Sequence, residues 1–290
     1  MTLRDQLRRR FEIGCHPLAF VAADPSSNRI RFRTEAGEAV DGYLLDPPGS
    51  GPWPAILYIH AHGGRYDIGA AEVVDGRASL QGPLGPVLAA AGYRVLAIDV
   101  PCFGGRAGQT EGAAAKAAQW QGGSLAGQML GELASALDWL VADPATDPAR
   151  IAVFGLSMGA TLGYWLGAVD PRLAAVAHLC CFADFGVLIE TGAHDRHGHY
   201  LTVPGLLPIA DNGTIAGLIA PRPQFVGLGD ADPLTPPAAT DPALATLAAA
   251  YAAAGAPMAL RVHRTADAGH EETPAMRRDL LAFLAEFLQL

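Results

Sequence analysis

The sequence predicts an α/β fold: a mostly parallel central sheet covered by helices on both faces. Three observations lead there. Short runs rich in Val, Ile and Leu recur at 55–60, 93–100, 150–155, 173–181, 223–229 and 258–263, apolar throughout rather than alternating. Helix-length stretches separate them, at about 79–91, 124–142, 157–169, 235–254 and 274–289. Half of the 290 residues are hydrophobic and 17% are charged, enough apolar material for a large buried core. Strands covered on both faces read as unbroken apolar runs, and their alternation with helices implies right-handed crossovers onto a parallel sheet.

Residues 2–10 read as a short amphipathic helix. Next, "RIRFRTEAGEAVDGYLLDP" alternates on either side of "EAGE", the signature of an antiparallel hairpin at a sheet edge. Residues 182–220 interrupt the strand–helix alternation and read as an excursion over the sheet, a lid or pocket wall on one reading and a solvated loop on the other. With no repeat and no linker, 1–290 is expected to be a single domain, with 1–50 as an N-terminal extension carrying the hairpin.

The bulk numbers exclude several classes. A formal net charge of −9 offers no footing for nucleic acid or an anionic membrane. No run reaches the ~18–20 apolar residues a bilayer span needs. The basic start "MTLRDQLRRRFEIG" lacks the apolar stretch of a secretory signal, so a cytoplasmic setting is expected. Cys15, Cys102, Cys180 and Cys181 have no CxxC spacing, and adjacent cysteines rarely pair, so buried free thiols are expected. Homo-oligomerisation is left open.

The chemistry begins at "VFGLSMGAT", residues 153–161. "RIAVF" is a strand, "GLSMG" a turn and "ATLGYWLGAV" a helix. So sharp a corner forces unusual backbone angles on Ser157, and a β carbon at Gly155 or Gly159 would collide with the neighbouring turn. The corner lifts the serine hydroxyl to the amino end of the helix, where free N–H groups and the helix dipole favour developing negative charge. This is the G-x-S-x-G elbow of a nucleophilic serine.

A serine hydroxyl needs a base, and the base needs an orienting carboxylate. "PQFVGLGDADPLTP" offers Asp230 and Asp232 just past a late strand; Asp232 is favoured because it lies beyond the turn, before Pro233. The base expected between the last strand and the terminal helix is His270, whereas His263 sits on the strand and reads as structural. An oxyanion needs two amide donors. Met158, following the nucleophile, supplies one, and the loop "YIHAHGG" supplies the other, from His62 with Ala61 as the alternative. His60 would brace that loop. "HAHGG" suggests no metal, since no carboxylate or third histidine stands at ligand spacing beside the pair.

Substrate-facing candidates are His60, then Phe103 and Arg106 in "DVPCFGGRAG", Trp120 in "AAQWQGG", and His199 and Tyr200 in the excursion. His194, His197, Leu201, Val203 and Leu206 would complete the excursion's wall.

From about residue 53 onward the chain resembles the α/β-hydrolases, and more narrowly the dienelactone-hydrolase-like esterases. "LYIHAHGG", "GYRVLAIDVPCFGGR", "DPARIAVFGLSMGA", "APRPQFVGLGDADPLTP" and "DAGHEETPAMRRDLLAFL" carry the resemblance, in that order. It implies an α/β-hydrolase fold, a Ser157–Asp232–His270 triad, and cofactor-free hydrolysis of a short-chain or compact carboxylic ester. Two departures qualify it. Dienelactone hydrolase proper has a cysteine nucleophile where this chain has Ser157, and many relatives have a second glycine where this chain has Ala160. Related serine peptidases and amidases share the triad, and a non-catalytic binding protein could share the fold.

Overall fold

The computed structural model describes residues 1–288. Nine strands form one sheet: β1 (Leu18–Asp24), β2 (Arg29–Thr34), β3 (Ala39–Leu45), β4 (Trp53–Ile59), β5 (Arg94–Ile98), β6 (Thr146–Leu156), β7 (Ala175–Leu179), β8 (Gln224–Gly229) and β9 (Leu260–Thr265). Their order is β1-β2-β3-β5-β4-β6-β7-β8-β9. The β1–β2, β2–β3 and β3–β5 pairs are antiparallel, and every pair from β5 to β9 is parallel.

The unbroken apolar strands have the expected cause. Ala55, Leu57 and Ile59 of β4 join the core on one face, while Ile56 and Tyr58 join the core on the other. Both sides of the pleat are dry, so neither set of alternating positions can be polar. The helices Leu3–Arg10, Leu125–Ala142, Met158–Val169 and Pro237–Ala253 bury residues in the first core. Gly85–Ala90 and Pro274–Leu288 bury theirs in the second. Position 289, the predicted end of the last helix, lies outside the described residues.

Several expectations need adjustment. The helix read at 79–91 shrinks to Gly85–Ala90, because Pro83 and Pro86 permit a helix only from its first turn. The structure adds a helix, Glu111–Trp120, whose N-cap Thr110 accepts from the Ala113 amide. The hairpin has a further strand, β1, which lies at the sheet edge with most of its residues exposed and so shows no alternation to read. Cys15 is exposed, against the expectation of burial; the other three cysteines are buried and all four are free. Among the described residues no helix is long and apolar enough to cross a membrane.

Candidate active site

Strands β4 and β6 are neighbours, with Ile59 opposite Gly155 in register. The loop after β4 and the elbow after β6 therefore emerge side by side at the carboxyl end of the sheet, where the strand order reverses. Ser157 sits at φ 60° and ψ −117°, directly before the helix Met158–Val169. A non-glycine residue holds such angles only when its surroundings enforce them. Here the Ser157 amide donates to the Leu179 carbonyl on β7, and Gly159 packs against the β4 backbone.

The loop after β8 carries Asp232, which is 2% exposed. One oxygen accepts from the Leu234 amide at 2.8 Å, and the other from the Thr235 hydroxyl at 2.9 Å and from His270 Nδ1 at 2.6 Å. His270 Nε2 lies 2.7 Å from Ser157 Oγ. Because Nδ1–H donates to the carboxylate, the Nε2 lone pair faces the serine hydroxyl. Burial disfavours the imidazolium, but the Asp232 hydrogen bond and charge outweigh it and hold the His270 pKa above its ordinary value of 6.5. Burial likewise works against the Asp232 carboxylate, yet the His270 hydrogen bond and charge and the loop donors hold its pKa below 3.8. Asp230, the alternative acid, pairs with Arg264 instead. His263 pairs with Asp279, as its structural reading expected.

In the oxyanion loop, the Ala61 amide donates to Glu72 Oε2 at 3.0 Å, which removes Ala61 as a donor to substrate. Glu72 is itself fully buried and held by Tyr58 and Arg77. The amides of His62 and Met158 have no partner of this kind among the described residues. His60 is completely buried, touches Phe103 and has its pKa lowered to about 4 by burial. It braces the loop and cannot meet substrate.

The other substrate-facing candidates divide. Phe103 is fully buried beneath His62 and Tyr66, a floor rather than a contact surface. Arg106 is buried against Glu132 and Glu38 and donates to the Asp99 carbonyl; its charge is spent within the protein. Trp120, at the end of its helix, is 92% exposed and walls nothing. His199 is exposed on a cavity of 380 Å³ shared with His197, Phe185, Ile189, Leu201 and Leu206, all residues of the excursion itself. Tyr200 is buried behind it, with its ring 5.9 Å from that of His62. His270 opens onto a second cavity of 640 Å³, lined also by Asp67, Asp75, Arg77 and Ser79.

Some functional neighbours carried no usable signal in the sequence. Cys180 and Cys181 both adopt positive φ just after β7. Cys181 Sγ lies 3.9 Å from His197 Nδ1 and accepts from Thr161 Oγ1. Burial would raise that thiol's pKa, but His197 holds it below the ordinary value of 9.0. Ligand atoms of Cys180, Asp232 and His270 lie within 4.8 Å of one another. Asp232 and His270 already bond each other, and burial pushes the Cys180 thiol up, so this trio is not a vacant chelate. Glu111 carries one faint sequence signal, its place just after the N-cap Thr110.

A serine on a strand–helix elbow, hydrogen-bonded to a carboxylate-held imidazole at the carboxyl edge of a mostly parallel sheet, defines a serine hydrolase of α/β-hydrolase fold. The comparisons narrow this class. The family model described as X-Pro dipeptidyl-peptidase (S15 family) matches residues 39–221, and the chain belongs to that family. The hydrolase YtaP of Bacillus subtilis (strain 168) is 38% identical over 253 residues, covering 87% of this chain and 84% of its own. Among solved structures, acetyl xylan esterase 1 from Thermoanaerobacterium sp. JW/SL YS485 superposes with a TM-score of 0.68 at 17% identity, over 98% of this chain and 93% of that one. A glucuronoyl esterase from Solibacter usitatus gives 0.66 at 15% identity, over 97% and 91%. At such identities the structural likeness speaks to the fold.

Proposed function

We propose that this protein hydrolyses short-chain or compact carboxylic esters through an acyl-enzyme on Ser157, with no cofactor. The observation that carries the reading is the continuous relay from Ser157 Oγ through His270 to Asp232, at 2.7 and 2.6 Å. His270 takes the hydroxyl proton as Ser157 attacks the acyl carbonyl, and Asp232 holds the imidazole tautomer and stabilises the imidazolium. The amides of Met158 and His62 receive the oxyanion. His270 returns the proton to the leaving alcohol, then activates the water that frees the acid.

The 380 Å³ cavity lined by the excursion, apolar at Phe185, Ile189, Leu201 and Leu206 and polar at Asp195, Asp211, Asn212 and its histidines, is the proposed seat of a compact acyl or alcohol group. The narrower kinship with dienelactone-hydrolase-like esterases rests on the five sequence motifs and belongs to this proposal. So do a small-molecule ester as the partner, without nucleic acid or membrane, and a cytoplasmic setting.

A second reading, cleavage of an amide or peptide by the same relay, is favoured by the family match over residues 39–221. Rates on p-nitrophenyl esters of increasing acyl length, beside an aminoacyl anilide, separate the two for the wild type and Ser157→Ala. Ester turnover lost in the variant supports the proposal. Anilide turnover alone transfers the relay to peptides, and equal rates in both proteins end serine catalysis.

A further inference from the structure

We propose that Glu111 is a positioning residue of this site, a buried carboxylate that clamps the oxyanion loop and the excursion to one point. The inference rests on the serine-hydrolase reading and on the role given there to the His62 amide.

Glu111 opens the helix Glu111–Trp120 and is 4% exposed. Its Oε2 accepts from His62 Nε2–H at 3.0 Å and from the Tyr66 hydroxyl at 2.9 Å. Its Oε1 accepts from the Tyr200 amide at 2.9 Å. The three donors come from the oxyanion loop, the segment that follows it, and the excursion. One side chain thus ties together three pieces of chain that have no regular structure in common.

The tautomer of His62 follows from its second bond. Gly64 N–H donates to His62 Nδ1 at 3.0 Å, so the ring proton must sit on Nε2, pointing at Glu111. The imidazole therefore bridges the carboxylate and the loop's own backbone. That backbone needs a brace, because Gly63 and Gly64 both lie at positive φ, 53° and 67°, where glycine has wide freedom. The excursion is pressed onto the same spot: a β carbon on Gly198 would stand 2.6 Å from Glu111 Oε1 and 2.8 Å from His62 Nε2. Phe103 and Tyr200 flank the His62 ring, at 5.2 and 5.9 Å between centroids. Burial alone would raise the Glu111 pKa, but the bonds from His62, Tyr200 and Tyr66 hold it below 4.5, so the clamp is anionic at neutral pH.

Glu111→Gln is nearly isosteric but can offer only one acceptor oxygen. Whichever way the amide faces, its NH2 meets an N–H or O–H donor, and His62 can accommodate it only by giving up Gly64. Removal of one oxyanion donor costs roughly 100- to 1000-fold in kcat, and displacement of that donor should cost a part of this. The test measures kcat and KM on a p-nitrophenyl ester, together with the rate at which a fluorophosphonate labels Ser157. In that labelling Ser157 Oγ displaces fluoride from phosphorus while the phosphoryl oxygen occupies the oxyanion site.

The expected result for Glu111→Gln is a kcat lowered at least tenfold, KM within threefold and labelling slowed in parallel, with the melting temperature lowered by about a few degrees and the circular dichroism spectrum retained. His62→Ala keeps the backbone amide but removes the clamp, and should show the same loss. The double variant should lose no more than either single one. A kcat within twofold of wild type for Glu111→Gln, or additive losses in the double variant, would overturn the proposal. If Glu111→Gln does not fold, His62→Ala decides alone: a tenfold loss of kcat supports the clamp, and wild-type kcat refutes it. Labelling needs no ester, so a wild type that labels but turns over no ester would fail the ester reading while Glu111 is still tested.

Discussion

The carbonyl oxygen of Ile59 lies 2.0 Å from where a β carbon on Gly159 would have to be. That contact brings the first turn of the elbow helix down onto β4, beside the oxyanion loop. Gly155 faces the same constraint from the other side, since its β carbon would stand 2.2 Å from the backbone of Gly159. The two glycines exist because three backbones meet here with no space between them.

Gly159→Ala should therefore destabilise the protein by about 3 kcal/mol, measured as a lowered urea midpoint at constant slope. Gly163, one turn further along the helix, has its nearest neighbour at 3.5 Å. Gly163→Ala should be neutral or stabilising by up to about 1 kcal/mol. Equal effects at both positions would contradict the packing at the elbow.

Ser157→Ala should lower kcat on the order of 10⁴-fold with the fold intact. The backbone of Ser157, at φ 60° and ψ −117°, adds a second expectation. Glycine reaches such angles without a β-carbon penalty, so Ser157→Gly should be more stable than Ser157→Ala by about 1 kcal/mol. Thermal unfolding of the two inactive variants compares them directly.

The relay requires His270 unprotonated at Nε2, and Asp232 holds its pKa above 6.5. Activity should accordingly rise with pH through a midpoint on the alkaline side of 6.5. The stability linkage has the opposite sense. A raised folded-state pKa stabilises the fold fully below the unfolded value, and that contribution disappears as pH rises through the folded one. Asp232→Asn removes the charge that raises His270, so proton NMR titration of the ring should show its pKa fall. An unchanged ring titration would mean that Asp232 does not govern the base.

Arg106 and Glu132 are both about 2% exposed at the side chain. Arg106→Met leaves Glu132 charged and buried, and should cost about 3–5 kcal/mol of stability. Arg106→Met with Glu132→Leu should recover most of that loss. Ester KM should stay within twofold in whatever folds, as it should for Trp120→Ala. A large KM rise in either would restore these residues to the substrate's path.

The strands and most helices were legible because each is a local pattern: unbroken Val, Ile and Leu where both sheet faces are dry, and caps or prolines at helix ends. Ser157, Asp232 and His270 were legible for a related reason. Each lies in a loop just past a strand, and the sheet collects such loops at one edge. The substrate-facing residues were not legible, because a residue's place in sequence does not say which way its side chain turns. Arg106 points inward to Glu132, Trp120 outward to solvent, and His60 beneath the loop it braces, away from the substrate it was also expected to face. Glu111 gave only the faint sign of its place after Thr110, since its donors His62, Tyr66 and Tyr200 come from segments remote from it in the chain.

By itself the sequence determined the layered α/β architecture, the elbow at Ser157 and the acid and base proposed beside it, because local patterning and strand order dictate them. Only the tertiary structure decided the two cavities, the carboxylate that binds the rim together and the capture of the Ala61 amide by Glu72, which leaves His62 as the proposed donor of the oxyanion loop. Those depend on hydrogen bonds between distant segments, and a buried donor or acceptor finds its partner only after the sheet has closed around it.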